Sequence, residues 1–260
     1  MTSEQLVRPS IDLNADLGEY TGAGGATLDD AILDVVSSAS IACGVHAGDA
    51  DVMQRTVEAA AARGVAIGAH PSYPDREGFG RREVEMPPHE LSVEIISQVE
   101  TLAACCAKAG ARLRFVKVHG ALYNVAARDA PVARIVAEAV RRVDRGLVLL
   151  GLAGSALVRE GARAGLAVAS EAFADRAYLP DGTLLSRDRA GAVLHDAAQV
   201  ASRAVVIARD GFVTSVDGVR VKVDADSLCV HGDNPEALAL VTATRLSLEN
   251  AGFTIAPFAK

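Results

Sequence analysis

The amino-acid sequence predicts an α/β protein built from seven strand–helix units with parallel strands, and three observations support this prediction. The 260 residues fit one large domain, and no Pro- or Ser-rich linker divides them. Half of the residues are hydrophobic, Trp is absent and aromatic residues are few, so Ala, Val, Leu and Ile must fill the core. Short apolar runs alternate with helical stretches along the chain. This alternation leaves open whether the sheet closes into a barrel.

The alternating runs also give the expected order of elements. Strands are predicted at residues 10–13, 40–42, 65–69, 114–118, 147–150, 166–170 and 227–230. Helices are predicted at residues 29–37, 50–63, 88–109, 131–143, 155–164, 191–208 and 235–250. Asp129 and Asn234 are suitable N-caps, because each stands just before a helix with proline in its first turn. A separate antiparallel hairpin is predicted at residues 213–223, where alternating valines flank Asp217-Gly218.

The composition argues against several classes of function. A net charge of −7 does not suit non-specific nucleic-acid binding, which needs a basic surface. No apolar run approaches the roughly 20 residues that span a bilayer, and the polar start of the chain lacks a signal-peptide pattern. The four cysteines, Cys43, Cys105, Cys106 and Cys229, do not suggest a disulfide framework. We therefore expect a cytoplasmic protein that binds neither nucleic acid nor membrane.

Polar residues gather at the predicted C-terminal ends of the strands, where α/β proteins build their active sites. Because side chains alternate along a strand, Asp12, Asn14 and Asp16 share one face of the first strand, and Glu19 follows them. Carboxylates at this position can bind a cation, act as a base or hold the ammonium group of a ligand. The alternative is a turn in which the Asp side chains accept backbone N–H groups, but three acceptors on one face exceed what such a turn needs.

Two Gly-rich segments follow the second and third predicted strands. His46 lies on a turn between strand and helix, which favours a functional role over a structural one, whereas Asp49 can act in the site or cap the next helix. His70 ends the third strand. After it, residues 78–82 (Gly-Phe-Gly-Arg-Arg) can cradle an anion, because arginine binds carboxylate or phosphate groups bidentately. This segment is not a P-loop, since the Gly-Lys-Ser/Thr end is missing.

Lys117 and His119 share one face of the fourth predicted strand. A lysine in a core strand is costly unless it is paired or functional. We expect Lys117 to stabilise a developing oxyanion and His119 to act as an acid or base. After the sixth strand, Glu171, Asp175 and Arg176 fit either an ion network at the rim of a site or a surface salt bridge.

The last predicted strand is followed by His231 and, at the start of the last helix, by Asp233. Two other histidines, His89 and His195, fall on predicted helix surfaces. Four of the six histidines therefore stand at strand ends: His46, His70, His119 and His231. Such a placement is hard to obtain on four different strands without a shared site.

These motifs resemble the LamB/YcsF family. The matching runs lie in order at residues 12–19, 41–49, 68–75, 78–82, 116–124, 171–176 and 229–233. Small departures from the family pattern are Ser40 in place of Asn, Val45 in place of Phe and Val118 in place of Pro, and none removes a group assigned to catalysis. The resemblance implies one domain over residues 1–260, a seven-stranded (βα) barrel of the glycoside hydrolase/deacetylase type.

The resemblance also implies an activity and the residues that perform it. The activity is ATP-dependent hydrolysis of the lactam of 5-oxo-L-proline to L-glutamate by the A subunit of a 5-oxoprolinase, with Mg-ATP as cosubstrate and subunits B and C as partners. The expected catalytic residues are Asp16, His46, His70, Lys117 and His119. The expected substrate-binding residues are Asp12, Asn14, Glu19, Asp49, Arg81, Asn124, Glu171, Asp175, Arg176, His231 and Asp233. Nucleotide binding is expected to involve the partner subunits.

Within this hypothesis one catalytic histidine serves as the base for water. Lys117 stabilises the oxyanion, and Arg81 or Arg176 binds the substrate carboxylate. The acidic face of the first strand holds water, a cation or the ring N–H. Whether the protein binds a metal ion is left open.

Two other functions stay open. A metal-dependent amidohydrolase or deacetylase would act without ATP, although the residue spacing matches no established metal motif. Its ligands would come from Asp16, His46, His70 and His231, with Cys43 or Cys229 as sulfur donors. A non-catalytic subunit that binds a sugar or an amino acid is the third class. Lys117 beside His119 argues against it, because simple binding rarely needs a buried lysine next to several histidines.

Overall fold

The computed structural model describes residues 9–20, 23–230 and 236–259, in which strands and helices alternate. The described strands are β1 (Ser10–Leu17), β2 (Ser38–Ala42), β3 (Ala66–His70), β4 (Leu113–Val116), β5 (Val148–Leu152), β6 (Ala167–Phe173), β7 (Phe212–Thr214), β8 (Arg220–Lys222), β9 (Ser227–Cys229) and β10 (Thr254–Ile255). The described helices are α1 (Ala23–Leu33), α2 (Ala50–Ala62), α3 (Pro88–Lys108), α4 (Gly120–Arg128), α5 (Ala130–Val143), α6 (Ala156–Arg163), α7 (Ala197–Asp210) and α8 (Ala237–Asn250).

Seven of the described strands close into one parallel barrel. The order runs from β1 through β2, β3, β4, β5 and β6 to β9, which pairs with β1 again. This closure places Asn14 opposite Cys229 and Glu171 opposite Ser227. The short β10 pairs with the first residues of β1. The predicted α/β class and the seven-stranded barrel are both confirmed.

The barrel interior is layered along each strand. The inward side chains of β4 and the residues after it are, in order, Phe115, Lys117 and His119, all of them buried. The Phe115 ring takes the space that a Cβ atom on Gly68 of β3 would need, and it packs 5.0 Å from the Phe258 ring, centroid to centroid. The Phe115 and Phe258 rings therefore fill the interior toward the N-terminal end of the barrel. Lys117 and His119 follow toward the C-terminal end.

Capping side chains fix the starts of several helices. Asp49 accepts the backbone N–H of Val52 at the start of α2. Asp129 accepts that of Val132 at the start of α5, as predicted. Such bonds satisfy donors that the first helical turn leaves without partners. The other predicted cap, Asn234, lies outside the described residues.

Two helices differ from the prediction for local reasons. The prediction placed the first helix at residues 29–37, but α1 ends at Leu33. The hydroxyl of Ser37 binds the Asp12 carboxylate and accepts the Leu13 N–H, and β2 begins at the next residue. The short helix α4 was not predicted, because Asp129 alone separates it from α5. The Asp129 N–H bonds to Val125 at the end of α4, while its carboxylate caps the next helix.

Residues 174–196 leave the barrel between β6 and α7. They carry isolated antiparallel bridges, Arg176 with Val193 and Tyr178 with Leu184. The predicted start of α7 at residue 191 is wrong because Asp196 caps this helix and accepts the N–H of Gln199. This excursion supplies side chains to the cavity described below.

The predicted hairpin is confirmed as a separate two-stranded sheet of β7 and β8. It lies outside the barrel, as expected from its alternating pattern. Among the helices described here, none combines the length and apolar character that a membrane crossing requires.

Candidate active site

A cavity of about 490 Å³ opens at the C-terminal end of the barrel. The predicted site residues that line it are Asp16, Glu19, His70, Arg81, Lys117, His119, Asn124 and Arg176. Tyr123, Phe173 and Arg187 also line it. The cavity thus collects side chains from β1, β3, β6, the ends of β4 and α4, and two loops, which is the usual place for an active site in such barrels.

Lys117 is the centre of the hydrogen-bond network at the cavity floor. Its Nζ atom lies 2.8 Å from Glu171 Oε1, 2.9 Å from Asp16 Oδ1 and 3.2 Å from Asn14 Oδ1. The Cys229 Sγ atom is also 3.2 Å away. Desolvation disfavours the ammonium form, but the charges of Asp16 and Glu171 outweigh it and raise the pKa of Lys117 well above its usual value. Lys117 is therefore a fixed cation and not a base.

Glu171 is held from several sides at once. Its Oε1 atom accepts the Asn14 amide at 2.9 Å, and its Oε2 atom accepts the Tyr123 hydroxyl at 2.8 Å. The second N–H of the Asn14 amide points at Ser227 Oγ, 2.7 Å away. Burial and the Glu171 charge raise the pKa of Tyr123 well above its usual value, so the phenol stays protonated and donates. The network holds the Lys117 ammonium in one place.

Three histidines form the second part of the site. The rings of His46 and His119 are stacked, with centroids 3.9 Å apart and an interplanar angle of 6°. His70 meets His119 edge-on, and its Nε2 atom lies 3.0 Å from His119 Nδ1. The Nδ1–H of His70 donates to the Lys117 carbonyl at 2.7 Å. The backbone of Lys117 is thus tied to the histidine group.

The three histidines differ in charge. Burial lowers the pKa of His46, and it lowers that of His119 well below the usual value with help from the neighbouring histidines. For His70, burial acts in the same direction, but the Asp16 carboxylate 3.3 Å from Nε2 reverses the effect and raises the pKa. The lowered pKa values favour the neutral imidazole at His46 and His119, and the raised pKa favours the charged form at His70.

Arginines supply the positive side of the cavity. The Arg81 guanidinium stacks over the Phe79 ring at 4.8 Å from its centroid. Arg176 is buried and donates to the carbonyls of Leu185 and Ala192. Burial, with the nearby Arg187 charge, lowers the pKa of Arg176 to about 10, and the group remains a cation at neutral pH. An anionic ligand group would find a positive potential here.

The loop at residues 78–82 is pressed against the histidines. Gly80 has φ +65°, and a Cβ atom on it would lie 2.8 Å from His119 Cδ2 and 3.1 Å from His46 Cβ. Its carbonyl accepts the Ala121 N–H at 2.9 Å. Only glycine fits this backbone shape and this space, so the loop has a direct role in holding the two stacked rings.

Several predicted residues do not line the cavity. Asp12 lies below the lysine layer, where it accepts the hydroxyls of Ser37, Ser38 and Ser227. Asp49 is exposed and caps α2. Asn14, His46 and Glu171 contact cavity residues from behind. Asp175 is fully buried next to the cavity residue Arg176. His231 and Asp233 lie outside the described residues.

The sequence reasoning did not select Tyr123, Phe173 or Arg187. Tyr123 and Phe173 stand inside the recognised motifs at residues 116–124 and 171–176, so a signal for them was present in the sequence. Arg187 lies in the 174–196 excursion, which has little regular structure, and nothing in its spacing indicates that this loop reaches the cavity. Among described residues, Glu19, His46 and His119 form a group that could hold a metal ion.

A parallel (βα) barrel with a charged cavity at its C-terminal strand ends is the architecture of a large class of barrel enzymes. Within this class the chain belongs to the LamB/YcsF family, whose model matches residues 11–260.

Known proteins agree with this assignment. One 5-oxoprolinase A subunit of Agrobacterium fabrum strain C58 is 50% identical over 250 residues, which cover 96% of this chain and 98% of that protein. The crystal structure of a lactam utilization protein from Thermus thermophilus is 42% identical, with a TM-score of 0.89 over 96% of this chain and 100% of that one. A structure of T48 deacetylase with substrate has a TM-score of 0.52 at 12% identity, covering 96% and 88% of the two chains, and shows the deacetylase-like fold alone.

Proposed function

We propose that this chain is the subunit of a 5-oxoprolinase that opens the lactam ring of 5-oxo-L-proline to L-glutamate, in a reaction coupled to ATP hydrolysis and shared with partner subunits B and C. The names of the A. fabrum and T. thermophilus relatives support the substrate class. The observation that carries the proposal is the buried Lys117 ammonium at the floor of a cavity that arginines and histidines also line.

The chemistry of the substrate explains the need for ATP. A lactam is an amide, whose resonance lowers its electrophilicity, and its leaving group is an amine. Transfer of the γ-phosphoryl group to the amide oxygen yields ADP and an activated imidate-like species. Water adds to its carbon, the ring C–N bond breaks and the nitrogen takes a proton, which leaves an acyl phosphate. A second water releases phosphate, so that two waters and one ATP are consumed per glutamate formed.

The site residues divide this work by charge and position. The Lys117 ammonium stabilises the negative charge that develops on oxygen as water adds. Asp16 contacts both Lys117 and His70 and lines the cavity, so we assign its carboxylate as the base for a water that attacks a carbon held at Lys117. His70 favours the charged form and is therefore suited to hold Asp16 and give a proton, not to accept one.

The substrate carboxylate is assigned to the arginine side of the cavity. Arg81 and Arg176 both line the cavity, Arg81 with an exposed side chain and Arg176 with a buried one. We assign Arg81 the direct contact, because its exposed position is the more accessible to an entering ligand, and Arg176 the supporting positive charge. The chain carries no Walker-type nucleotide loop, so we place ATP binding with the partner subunits. Its four cysteines are free and buried, which suits work in a reducing cytoplasm.

The test is glutamate release from 5-oxo-L-proline by the purified chain, alone and with subunits B and C, with and without Mg-ATP. We expect glutamate only when the partners and Mg-ATP are present together. A metal-dependent amidohydrolase would instead hydrolyse an amide without ATP, and the Glu19, His46 and His119 group gives that alternative its support. Release of glutamate by the chain alone without ATP would favour it over the coupled reaction.

A further inference from the structure

Three ligand-type atoms converge beside the cavity, from Glu19, His46 and His119. Glu19 Oε1 lies 2.9 Å from His46 Nε2 and 3.2 Å from His119 Nδ1. The side chain of His46 is fully buried, and those of His119 and Glu19 are 8% and 9% exposed. Glu19 and His119 both line the cavity. The group is therefore nearly closed to bulk solvent but open toward the space where a substrate would bind.

The position of the His46 proton follows from its neighbours. His46 Nδ1 lies 3.0 Å from Ser72 Oγ, and the single hydroxyl proton of Ser72 is donated to the Tyr73 carbonyl at 2.9 Å. The Ser72 oxygen can then only accept from His46, so Nδ1 carries the proton. Nε2 of the neutral ring is left as a lone pair that points at Glu19.

The same reasoning applies to His119 on the other side. Its Nε2 atom lies 2.8 Å from the Phe79 carbonyl, which can only accept, so Nε2 carries the proton. Phe79 adopts a left-handed backbone conformation with φ 56°, which is uncommon for a bulky residue. Nδ1 of His119 is left as the lone pair, and it too points at Glu19 Oε1, with His70 Nε2 as its other neighbour at 3.0 Å.

The His119 Nδ1 lone pair accepts a hydrogen bond from His70 Nε2–H, whereas the His46 Nε2 lone pair faces the Glu19 carboxylate oxygen, and these two repel unless a positive charge lies between them. Protonation of both rings is disfavoured by their stacking at 3.9 Å. We propose that Glu19, His46 and His119 bind one divalent transition-metal ion, with Zn²⁺ as the type. The ion would take the place that His70 Nε2 now holds as the hydrogen-bond partner of His119 Nδ1.

The observed distances are close to those that such an ion requires. Metal bonds of about 2.0–2.2 Å to nitrogen and oxygen place tetrahedral ligand atoms roughly 3.3–3.6 Å apart. The two separations from Glu19, 2.9 Å and 3.2 Å, need only a small outward shift of the side chains to reach this range. Imidazole with carboxylate suits zinc and similar transition metals better than Mg²⁺ or Ca²⁺. Both rings also donate their outer N–H to a fixed acceptor, as metal-bound histidines usually do.

The donor set has consequences for chemistry. Three protein ligands would leave at least one coordination position for water or substrate, and Glu19 and His119 both line the cavity from which such a ligand would come. A metal ion with an open position lowers the pKa of a bound water and so prepares it for attack. The site would thus add a water-activating function to the Lys117 centre, within the same chain.

The experiment is metal binding by the full-length, tag-free chain. The protein is stripped with a chelator, dialysed against a slight excess of Zn²⁺ or Co²⁺ and analysed by plasma mass spectrometry, and the Co²⁺ form is examined for visible absorption. Glu19→Gln and His46→Gln remove ligands with little change in size. His89→Gln is the matched control, since the His89 side chain is 79% exposed and does not line the cavity. Ser72→Ala leaves all three ligands in place but removes the acceptor that holds His46.

We expect about one equivalent of metal in the native chain and in His89→Gln, and an affinity lower by about 100-fold or more in each ligand variant. Ser72→Ala should weaken binding by roughly 10- to 100-fold, which keeps the proposal testable should a ligand variant fail to fold. Absence of stoichiometric metal in the native chain, or equal binding by native, Glu19→Gln and His46→Gln proteins, would overturn it. Because metal content is the readout, this result is independent of whether the lactam reaction proposed above is correct.

Discussion

The Lys117 Nζ atom lies 2.8 Å from Oε1 of Glu171, and both side chains are almost completely sealed from solvent. A buried ion pair of this kind gives little net stability, because desolvation offsets the attraction, yet removal of one partner leaves an uncompensated charge. The pair is therefore better explained as a device that fixes an ammonium group at the cavity floor than as a source of stability.

Replacement of Lys117 by methionine should lower the free energy of unfolding by about 3–5 kcal/mol, since the carboxylates of Glu171 and Asp16 lose their shared cation. Adding Glu171→Gln to the same chain should recover part of this loss by removing one of the two orphaned charges. Urea denaturation measures both effects. Lys108→Met on the exposed end of α3 is the control and should change little. A Lys117→Met protein as stable as the native chain would contradict the buried-pair interpretation.

Asp12 should make stability depend on pH. Burial outweighs three serine hydrogen bonds and raises the Asp12 pKa from 3.8 to about 6. The folded protein therefore binds this proton more tightly than the unfolded chain, so the free energy of unfolding falls as pH rises from about 4 to 6. The loss amounts to about 3 kcal/mol for a shift of this size. Asp12→Asn should remove this slope in denaturation curves recorded across that range, whereas identical slopes in both proteins would show that Asp12 ionises normally.

The effect of close packing at Gly80 can be measured separately from the effect of its left-handed backbone conformation. Gly80→Ala combines a left-handed φ of +65° with a Cβ atom 2.8 Å from His119, while Gly110→Ala has the same φ and nothing within 4 Å. The control should lose roughly 1–2 kcal/mol of stability and keep its turnover number. Gly80→Ala should lose more stability and at least about tenfold in turnover, because the stacked histidines must move. Equal behaviour of the two variants would show that the 78–82 loop does not position the rings.

Arg81 should act on substrate binding more than on the chemical step. If it pairs with the substrate carboxylate, Arg81→Met removes a charge-assisted hydrogen bond of about 1.5–3 kcal/mol, which corresponds to a rise in KM of roughly 10- to 150-fold. The turnover number should change little. Arg145→Met on an exposed turn is the matched control. A fall in turnover without a change in KM would instead place Arg81 at the reacting atoms.

The sequence was sufficient to predict where the residues of the candidate site come together, because parallel strands meet at one end. His46, His70 and Lys117 stand on different strands or the loops after them, and the rule that strand ends converge brings them together without knowledge of long-range contacts. Alternation along β1 also placed Asp12, Asn14 and Asp16 on one inward face. Alternation along a strand does not show how far each side chain lies from the cavity. Asp12 lies one layer below the cavity, where it accepts hydrogen bonds from serines on or beside β2 and β9.

Features that depend on distant parts of the chain could not be predicted. Arg187 reaches the cavity only because the 174–196 excursion folds back, and this loop has almost no periodic signal. The short α4 was hidden because Asp129 both ends it and caps the next helix. The proton positions on His46 and His119 depend on Ser72 and on the Phe79 carbonyl, and these contacts are set by the fold.

The measurement that bears most directly on the proposed function is glutamate release by the assembled complex of this chain with subunits B and C and Mg-ATP, comparing the native chain with Lys117→Met. The variant must first be shown to be folded and incorporated. We predict that glutamate release falls by about 100- to 1,000-fold, the scale expected when a charge that stabilises an oxyanion is lost. Glutamate release at the native rate from a complex that contains folded Lys117→Met would contradict the assignment of the reaction to this site.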